Sequence, residues 1–393
     1  MIRPLDGVLV LALEHAIAAP FCTRQLADQG ARVIKIERPG AGDFARGYDT
    51  RVKGLASHFV WVNRSKESLT LDLKSRQGQE VLSRLLARAD VLVQNLAPGA
   101  AERMGLGFDA LHAAHPALIV CDISGYGADG PYRARKAYDL MIQSESGFVS
   151  VTGSPDAPAK AGISIADISA AMYAYSGILS ALLLRGRTGK GSRIEIAMLE
   201  TMAEWMGYPL YYAIDGQAPP PRTGAAHATI APYGPFRAGD GRQVMLGIQN
   251  EREWAGFCRI VLGQAALADD PRFASNELRS ANRGELATII ETAFASFAAS
   301  QVLERLDEAG IANAAINEVA DLWAHPQLAQ RGRWSEVATP AGPVPALLPP
   351  GLPADVAPRM GPVPDVGEHS AAILAEIGYL PEEIAQLRQA GVI

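Results

Sequence analysis

The first 130 residues alternate between short apolar runs and stretches of helical periodicity, and this rhythm constrains the fold more than any other feature of the chain. "GVLVLAL", "ARVIKIE", "SLTLDL", "ADVLVQN" and "ALIVCDIS" read as strands, with "PFCTRQLADQG", "SRQGQEVLSRLLARA" and "PGAAERMGLGFDALHAAHP" as helices between them. Repeated strand–helix–strand units build a mainly parallel sheet with helices on its faces. Ligands on such sheets bind outside the carboxyl ends of the strands. The loops at those ends carry "ERPGAGD", "NLAPGA" and "SGYGADGPY".

Beyond the alternation, a helix rich in Ala, Ser and Gly is expected from Asp167 to about Arg185. Small residues let another backbone approach closely, so this helix should be buried. "SRIEIAMLETMAEWM" supplies a further strand and helix, and "DGQAPPPRTGAAHATIAP" reads as a linker. A second unit follows, with strands around "PFRAG" and "RQVMLGI" and helices through "AFASFAASQVLERLDEAG". From about residue 320 the chain is Pro-rich and reads as an extended connector, closed by two short amphipathic helices. The expected division is 1–215, 216–320 and 321–393.

Composition excludes several function classes. A formal charge of −6 with no basic block argues against a nucleic-acid partner. Cys22, Cys121 and Cys258 are far apart and odd in number, which fits a reducing cytoplasm rather than a disulfide framework. Asp6, Glu14 and His15 interrupt what would otherwise mimic a secretory leader, so "GVLVLALE" reads as a first buried strand. No run approaches the ~20 apolar residues of a membrane span, so no membrane partner is expected.

The motifs are mostly negative. "GAGDFA" has the spacing of a dinucleotide fingerprint, but Glu37, Arg38 and Pro39 precede it and no ribose-binding acid follows at the right distance. The seven histidines never fall at metal-ligand spacing, so no metal is expected. Arg38, Arg64, Lys66, Arg103 and Lys136 recur at strand–helix junctions, as phosphate recognition would require, although scattered cations are usually solvated surface. Asp167 opens the small-residue helix. It reads either as an N-cap or as a nucleophile that the helix N-terminus keeps ionised.

"LEHAIAAPFCTRQLADQGARVIKIERPGAGDFAR", "NRSKESLTLDLKS", "VLVQNLAPGAAERMGLG", "SGYGADGPY", "YDLMIQSESG", "RTGKGSRIEIAML", "HPQLAQRG" and "GEHSAAILAEIG" resemble, in order, the family III CoA-transferases. The resemblance implies an α/β fold: a Rossmann-like parallel-sheet large domain built from both chain ends, plus a smaller α+β domain. It also implies two subunits threaded through each other as an interlocked homodimer.

On "IADISAAM" the resemblance places a catalytic nucleophile at Asp167, with Ala166 where the formyl-CoA transferase branch has Gly. It assigns coenzyme A contacts to Ile17, Ala18, Arg38, Leu71, Asp72, Leu73, Lys74, Asn95, Leu96, Ala97, Arg103, Lys136, Ala137, Tyr138 and Asp139. Ile17 stands where that branch has an active-site Gln, and "AHATIAP" around His227 replaces its Gly-rich loop. Both changes point away from the oxalate–formate pair.

The implied chemistry is transfer of CoA from an acyl-CoA to a free carboxylic acid through an aspartyl-CoA thioester, with the thioester as substrate and no tightly bound cofactor. The overall style resembles the branch using succinyl-CoA and C4–C5 dicarboxylates such as mesaconate, itaconate or citramalate. Arg46 is the candidate cation for a second carboxylate, and its other reading is a surface Arg. A racemase would need a His where "AYD" has Tyr138, and a Tyr with a pKa near 10 is a poor base at neutral pH. A CoA-binding protein without turnover is the remaining alternative.

Overall fold

The six strands pair in one parallel sheet: β1 (Leu9–Leu13), β2 (Arg32–Glu37), β3 (Lys66–Thr70), β4 (Val91–Gln94), β5 (Ile119–Ser124) and β6 (Arg193–Ala197). Their order is β3-β2-β1-β4-β5-β6, and every neighbouring pair is parallel. This is the order of the doubly wound dinucleotide-binding folds, in which the chain reverses direction between β1 and β4 and leaves a crevice there. The computed structural model describes residues 2–393. It is a mixed α/β fold comprising this sheet and two smaller antiparallel ones.

Val10–Leu13 are buried on both faces of the sheet, as expected for a central parallel strand. On one face Leu11, Ile34, Leu69 and Leu92 pack against Val81, Leu82 and Leu85 of α2 (Arg76–Leu86) and against Ile373, Leu374, Ile384 and Leu387 from the chain's C-terminal end. On the other face α1 (Ala18–Asp28) packs along α4 (Ile165–Thr188), with α3 (Asp139–Glu145) beside α4. Gln25 donates to the Met172 sulfur at 3.7 Å and Gln29 to the Tyr175 hydroxyl. Positions advance together on the two helices, so α1 and α4 run parallel with their N-termini at the carboxyl ends of the strands.

Two compact units result. The first comprises the chain up to Ser146, Ala161–Met206 and Gln327–Ile393. The second comprises Gly147–Lys160 and Gly207–Pro326. The second unit has a three-stranded antiparallel sheet (Tyr233–Arg237, Gln243–Gly247, Ala312–Ala315) over a core that includes Trp254, Phe257, Phe273 and Phe294. Its early segment is held by Arg222, whose guanidinium donates to the carbonyls of Ser150, Ser154 and Pro155.

Several boundaries differ from those expected. The first unit ends near Met206 rather than 215, and residues 147–160 leave it. The Pro-rich connector contains a hairpin, Trp334–Val337 paired with Val344–Leu347, closed by the turn at "TPAG". The 24-residue α4 contains an 18-residue window with a mean hydropathy of 1.4, so by length and composition it is long and apolar enough to cross a membrane. Only part of α4 is buried, through Ala166, Ser169, Ala170, Ala171, Ala174, Ile178 and Ala181. Leu183 and Leu184 near its C-terminal end are exposed.

Candidate active site

Glu14 follows β1 directly, and the turn after it is clamped from two sides. The Asn95 side chain accepts from the His15 N–H at 2.9 Å and donates to the His15 carbonyl at 3.0 Å. The Asp43 carboxylate accepts from the Ala16 N–H at 3.3 Å. Ala16 is held at φ 59°, a left-handed conformation that costs a non-glycine residue of order 1 kcal/mol and persists only where surrounding structure enforces it. The chain then enters α1 at Ile17, where no side chain caps the helix.

The clamp rests on a buried ion cluster. Lys35 Nζ lies 2.8 Å from Asp43 and 3.4 Å from Glu14, and Lys66 Nζ lies 2.6 Å from Glu14. Burial alone would raise the Glu14 carboxyl, but Lys66 and Lys35 hold it below its ordinary value. Burial pulls the Lys66 ammonium down to about 8 against the opposing pull of Glu14. Arg46 joins the cluster through a two-pronged contact with Glu37, at 2.9 and 2.8 Å, and lies 3.7 Å above the Phe59 ring. Its third nitrogen donates to the Pro364 carbonyl. The guanidinium expected to meet a substrate carboxylate is thus already committed within the fold.

Asp167 is not the N-cap. Helix α4 starts at Ile165 with Ser164 before it, and Asp167 stands at the third helical position. The cap comes from another element: Asp139 Oδ1 accepts from the N–H groups of Ala166 at 2.8 Å and Asp167 at 3.3 Å, and Asp139 Oδ2 accepts from Gln143 at 2.6 Å. The Asp167 carboxylate makes no hydrogen bond among the described residues.

Burial, followed by the neighbouring Asp139 charge, raises the Asp167 carboxyl from 3.8 to about 7. The expectation that the helix N-terminus depresses it is therefore corrected. The N–H groups that would stabilise the anion are occupied by a second carboxylate. Tyr48 feels the charges of both Asp43 and Asp167, and the exposed Tyr138 lies close enough to affect it as well.

The remaining candidate residues gather at the carboxyl ends of the strands. Ile17 and Ala18 follow β1; Arg38 follows β2; Leu71, Asp72, Leu73 and Lys74 follow β3; Asn95, Leu96 and Ala97 follow β4; Lys136, Ala137, Tyr138 and Asp139 follow β5. Ile17, Ala18 and Leu71 are buried, while Arg38, Lys74, Arg103 and Lys136 are exposed and form no salt bridge among the described residues. Leu96 and Ala97 line a cavity of about 320 Å³ together with Gln94, Asp122, Ser124 and Arg193. Gly125 lets the turn after β5 lie against Ala137, since a Cβ there would collide with the Ala137 side chain.

His227 belongs to the second unit. Its Nδ1 accepts from the N–H groups of Thr229 and Ile230, and its ring stacks on Tyr233. The "GAGDFA" loop follows β2 rather than β1, and its Asp43 is bound to Lys35, so it is not a dinucleotide fingerprint. Arg64 and Lys66 are buried against Asp28 and Glu14 rather than free for phosphate. No group of three His, Cys, Asp or Glu residues among the described residues is arranged to hold a metal ion.

Sequence reasoning missed the roles of Tyr48, of His15 and of the Lys35–Asp43 pair. A lysine in the middle of the apolar strand "RVIKIE" was the available signal, because a charge there requires a buried partner.

Comparison with known proteins places the chain among the CoA-transferases. The chain is 34% identical over its whole length, and over 90% of the relative, to the succinyl-CoA:glutarate CoA-transferase of Homo sapiens. It is 32% identical to the succinyl-CoA–D-citramalate CoA-transferase of Chloroflexus aurantiacus, covering all of this chain and 98% of the other. A crystal structure of a CAIB/BAIF family protein from Brucella suis superposes with a TM-score of 0.85 at 36% identity, covering 96% of this chain and 100% of that one. The model of CoA-transferase family III matches residues 5–370, and the chain is accordingly an enzyme belonging to that family.

Proposed function

We propose that this enzyme moves CoA from an acyl-CoA, with succinyl-CoA as the favoured donor, to a short C4–C5 dicarboxylic acid, through covalent chemistry on Asp167. The observation that carries this reading is a carboxylate without a hydrogen bond among the described residues, in the N-terminal turn of α4 beside Asp139. The named acceptors of its relatives, glutarate and D-citramalate, are both dicarboxylic acids.

Ionised Asp167 attacks the donor carbonyl and expels CoA thiolate, leaving a mixed anhydride. The thiolate attacks the aspartyl carbonyl and releases the donor acid, giving aspartyl-CoA. The acceptor carboxylate attacks that thioester and releases the thiolate again. The thiolate then attacks the acceptor's carbonyl in the second anhydride, forming the new acyl-CoA and regenerating Asp167. Each step exchanges one activated acyl bond for another, so no ATP or metal is needed. Arg38, Arg103 and Lys136 are assigned to the phosphates of CoA, where charge-assisted hydrogen bonds are strongest.

A homodimer forms part of the same reading. The exposed part of α4 carries the adjacent Leu183 and Leu184. Exposed leucines on a long apolar helix suit burial against a second copy of the chain.

Incubation with succinyl-CoA and hydroxylamine should inactivate the enzyme and tag the peptide containing "ADISAAM". A tag elsewhere, or undiminished transfer by Asp167→Ala, would refute the reading.

A further inference from the structure

With Arg46 spent on Glu37, the second carboxylate of the acceptor needs a different partner, and of the first-unit residues His15, Arg24 and His112, each with an enclosed unpaired nitrogen, His15 is the one that follows β1 at the carboxyl end of the sheet. His15 is half-buried, and its Nδ1 is enclosed with no hydrogen-bond partner among the described residues. Its main chain is fixed by Asn95 on both sides and followed by the strained Ala16. The clamp fixes the main chain from which the imidazole projects, and stacking on Phe44 orients the ring.

The ring begins an aromatic row. His15 stacks on Phe44 with centroids 5.4 Å apart, and Phe44 meets Tyr48 at 5.8 Å. Phe44 and Tyr48 are both more than 40% exposed, so the row presents an open apolar wall. Tyr48 is also the residue that feels Asp167. The parallel packing of α1 on α4 brings the uncapped start of α1, two residues after His15, to the same end of the molecule as the nucleophile.

The tautomer follows from the enclosure. An unpaired buried N–H is rarer than an unpaired acceptor, so the proton belongs on Nε2 and the lone pair on the enclosed Nδ1. Burial, with Lys35 and Arg38 nearby, keeps the ring neutral despite Asp43 and Glu14. A neutral Nε2–H beside the free N–H groups of an 11-residue helix favours an anion without placing a second fixed cation in the site.

We infer that His15 is a specificity-determining residue: its Nε2–H donates to the distal carboxylate of a dicarboxylic acyl group laid along the Phe44–Tyr48 wall. This assignment rests on the CoA-transfer reading above and adds the group that distinguishes dicarboxylates from monocarboxylates.

The test uses the full-length enzyme and one donor, succinyl-CoA, and compares kcat/KM for glutarate with that for butyrate. Taking the ratio cancels any effect on the donor. His15→Leu should lower the glutarate-to-butyrate ratio at least tenfold. His15→Gln, which keeps an N–H donor near the Nε2 position, should recover most of it, and that recovery excludes misfolding as the cause.

A ratio unchanged in His15→Leu, an equal loss for both acids, no recovery in His15→Gln, or a native preference for butyrate overturns the assignment. Hydroxylamine tagging of Asp167 is scored in the same samples. Its absence in the native enzyme would instead overturn covalent transfer itself.

Discussion

Replacing Asp139 with Asn separates its two effects on Asp167, the cap and the charge. The Asp167 carboxyl stands at about 7 against an ordinary 3.8, with burial the larger cause and Asp139 the second. Asp139 therefore accounts for at most half of the difference, about 1.5 pH units or ~2 kcal/mol. The amide keeps the oxygen that accepts from Ala166 and removes the charge. The acidic limb of the kcat/KM profile should move down from near pH 7 by up to ~1.5 pH units. At pH 6 the ionised fraction of Asp167 would rise from roughly a tenth to roughly three quarters, so activity there should increase by up to ~8-fold, less whatever nucleophilicity falls with basicity. The introduced amide N–H₂ would then face that of Gln143, at a cost of about 1 kcal/mol in stability. The measurement is a pH–rate profile from about pH 5 to about pH 8.5 on both proteins. An acidic limb that stays in place, or one that moves upward, would refute the electrostatic role. Asp139→Ala, which removes cap and charge together, should show the same displacement with a further loss of about 1 kcal/mol in stability.

Three other outcomes are expected. Because the Asp167 carboxyl is raised in the folded state, its ionisation costs stability progressively as pH rises from about 4 to about 7. Asp167→Asn should therefore melt higher than the native enzyme at pH 8 and equal to it at pH 4, by up to ~4 kcal/mol before allowance for partial exposure, as calorimetry at the two pH values would show. Lys35→Met would leave Glu14 and Asp43 short of a buried partner and should cost about 3–5 kcal/mol in urea denaturation; a loss below about 1 kcal/mol would mean the cluster contributes little. Arg38→Ala and Lys136→Ala should each weaken CoA binding by about 1–3 kcal/mol, raising KM for the thioester more than they lower kcat, while leaving the melting temperature unchanged because both side chains are exposed.

Local patterning made the sheet legible. "VLVLAL", "RVIKIE" and "LIVCDIS" are apolar runs of strand length bounded by turn residues, and a parallel strand buried on both faces can be built from little else. The hairpin at 334–347 was illegible by the same logic, since its four-residue strands contain Pro345 and lie in a Pro-rich stretch that reads as extended chain. The apolar character of α4 was underestimated because Gly and Ser dilute its runs, although no charge appears between Asp167 and Arg185.

The candidate site divides in the same way. The sequence by itself determined that an acid opens a small-residue helix, that cations follow the strands, and that the loops at the strand ends carry glycine and proline. These are properties of consecutive residues, and consecutive residues set backbone geometry. Which polar groups pair was decided only by the tertiary structure. Asp139 caps a helix that begins 26 residues later, Asn95 clamps a turn 80 residues before it, and Glu37 takes the guanidinium of Arg46 while Ser68 donates to the same carboxylate. A buried charge accepts any partner that the fold brings within about 3 Å, so sequence can reveal that a partner is required without revealing which one. The protonation of Asp167 depends on that choice, because the Asp139 carboxylate that caps its helix also repels its charge.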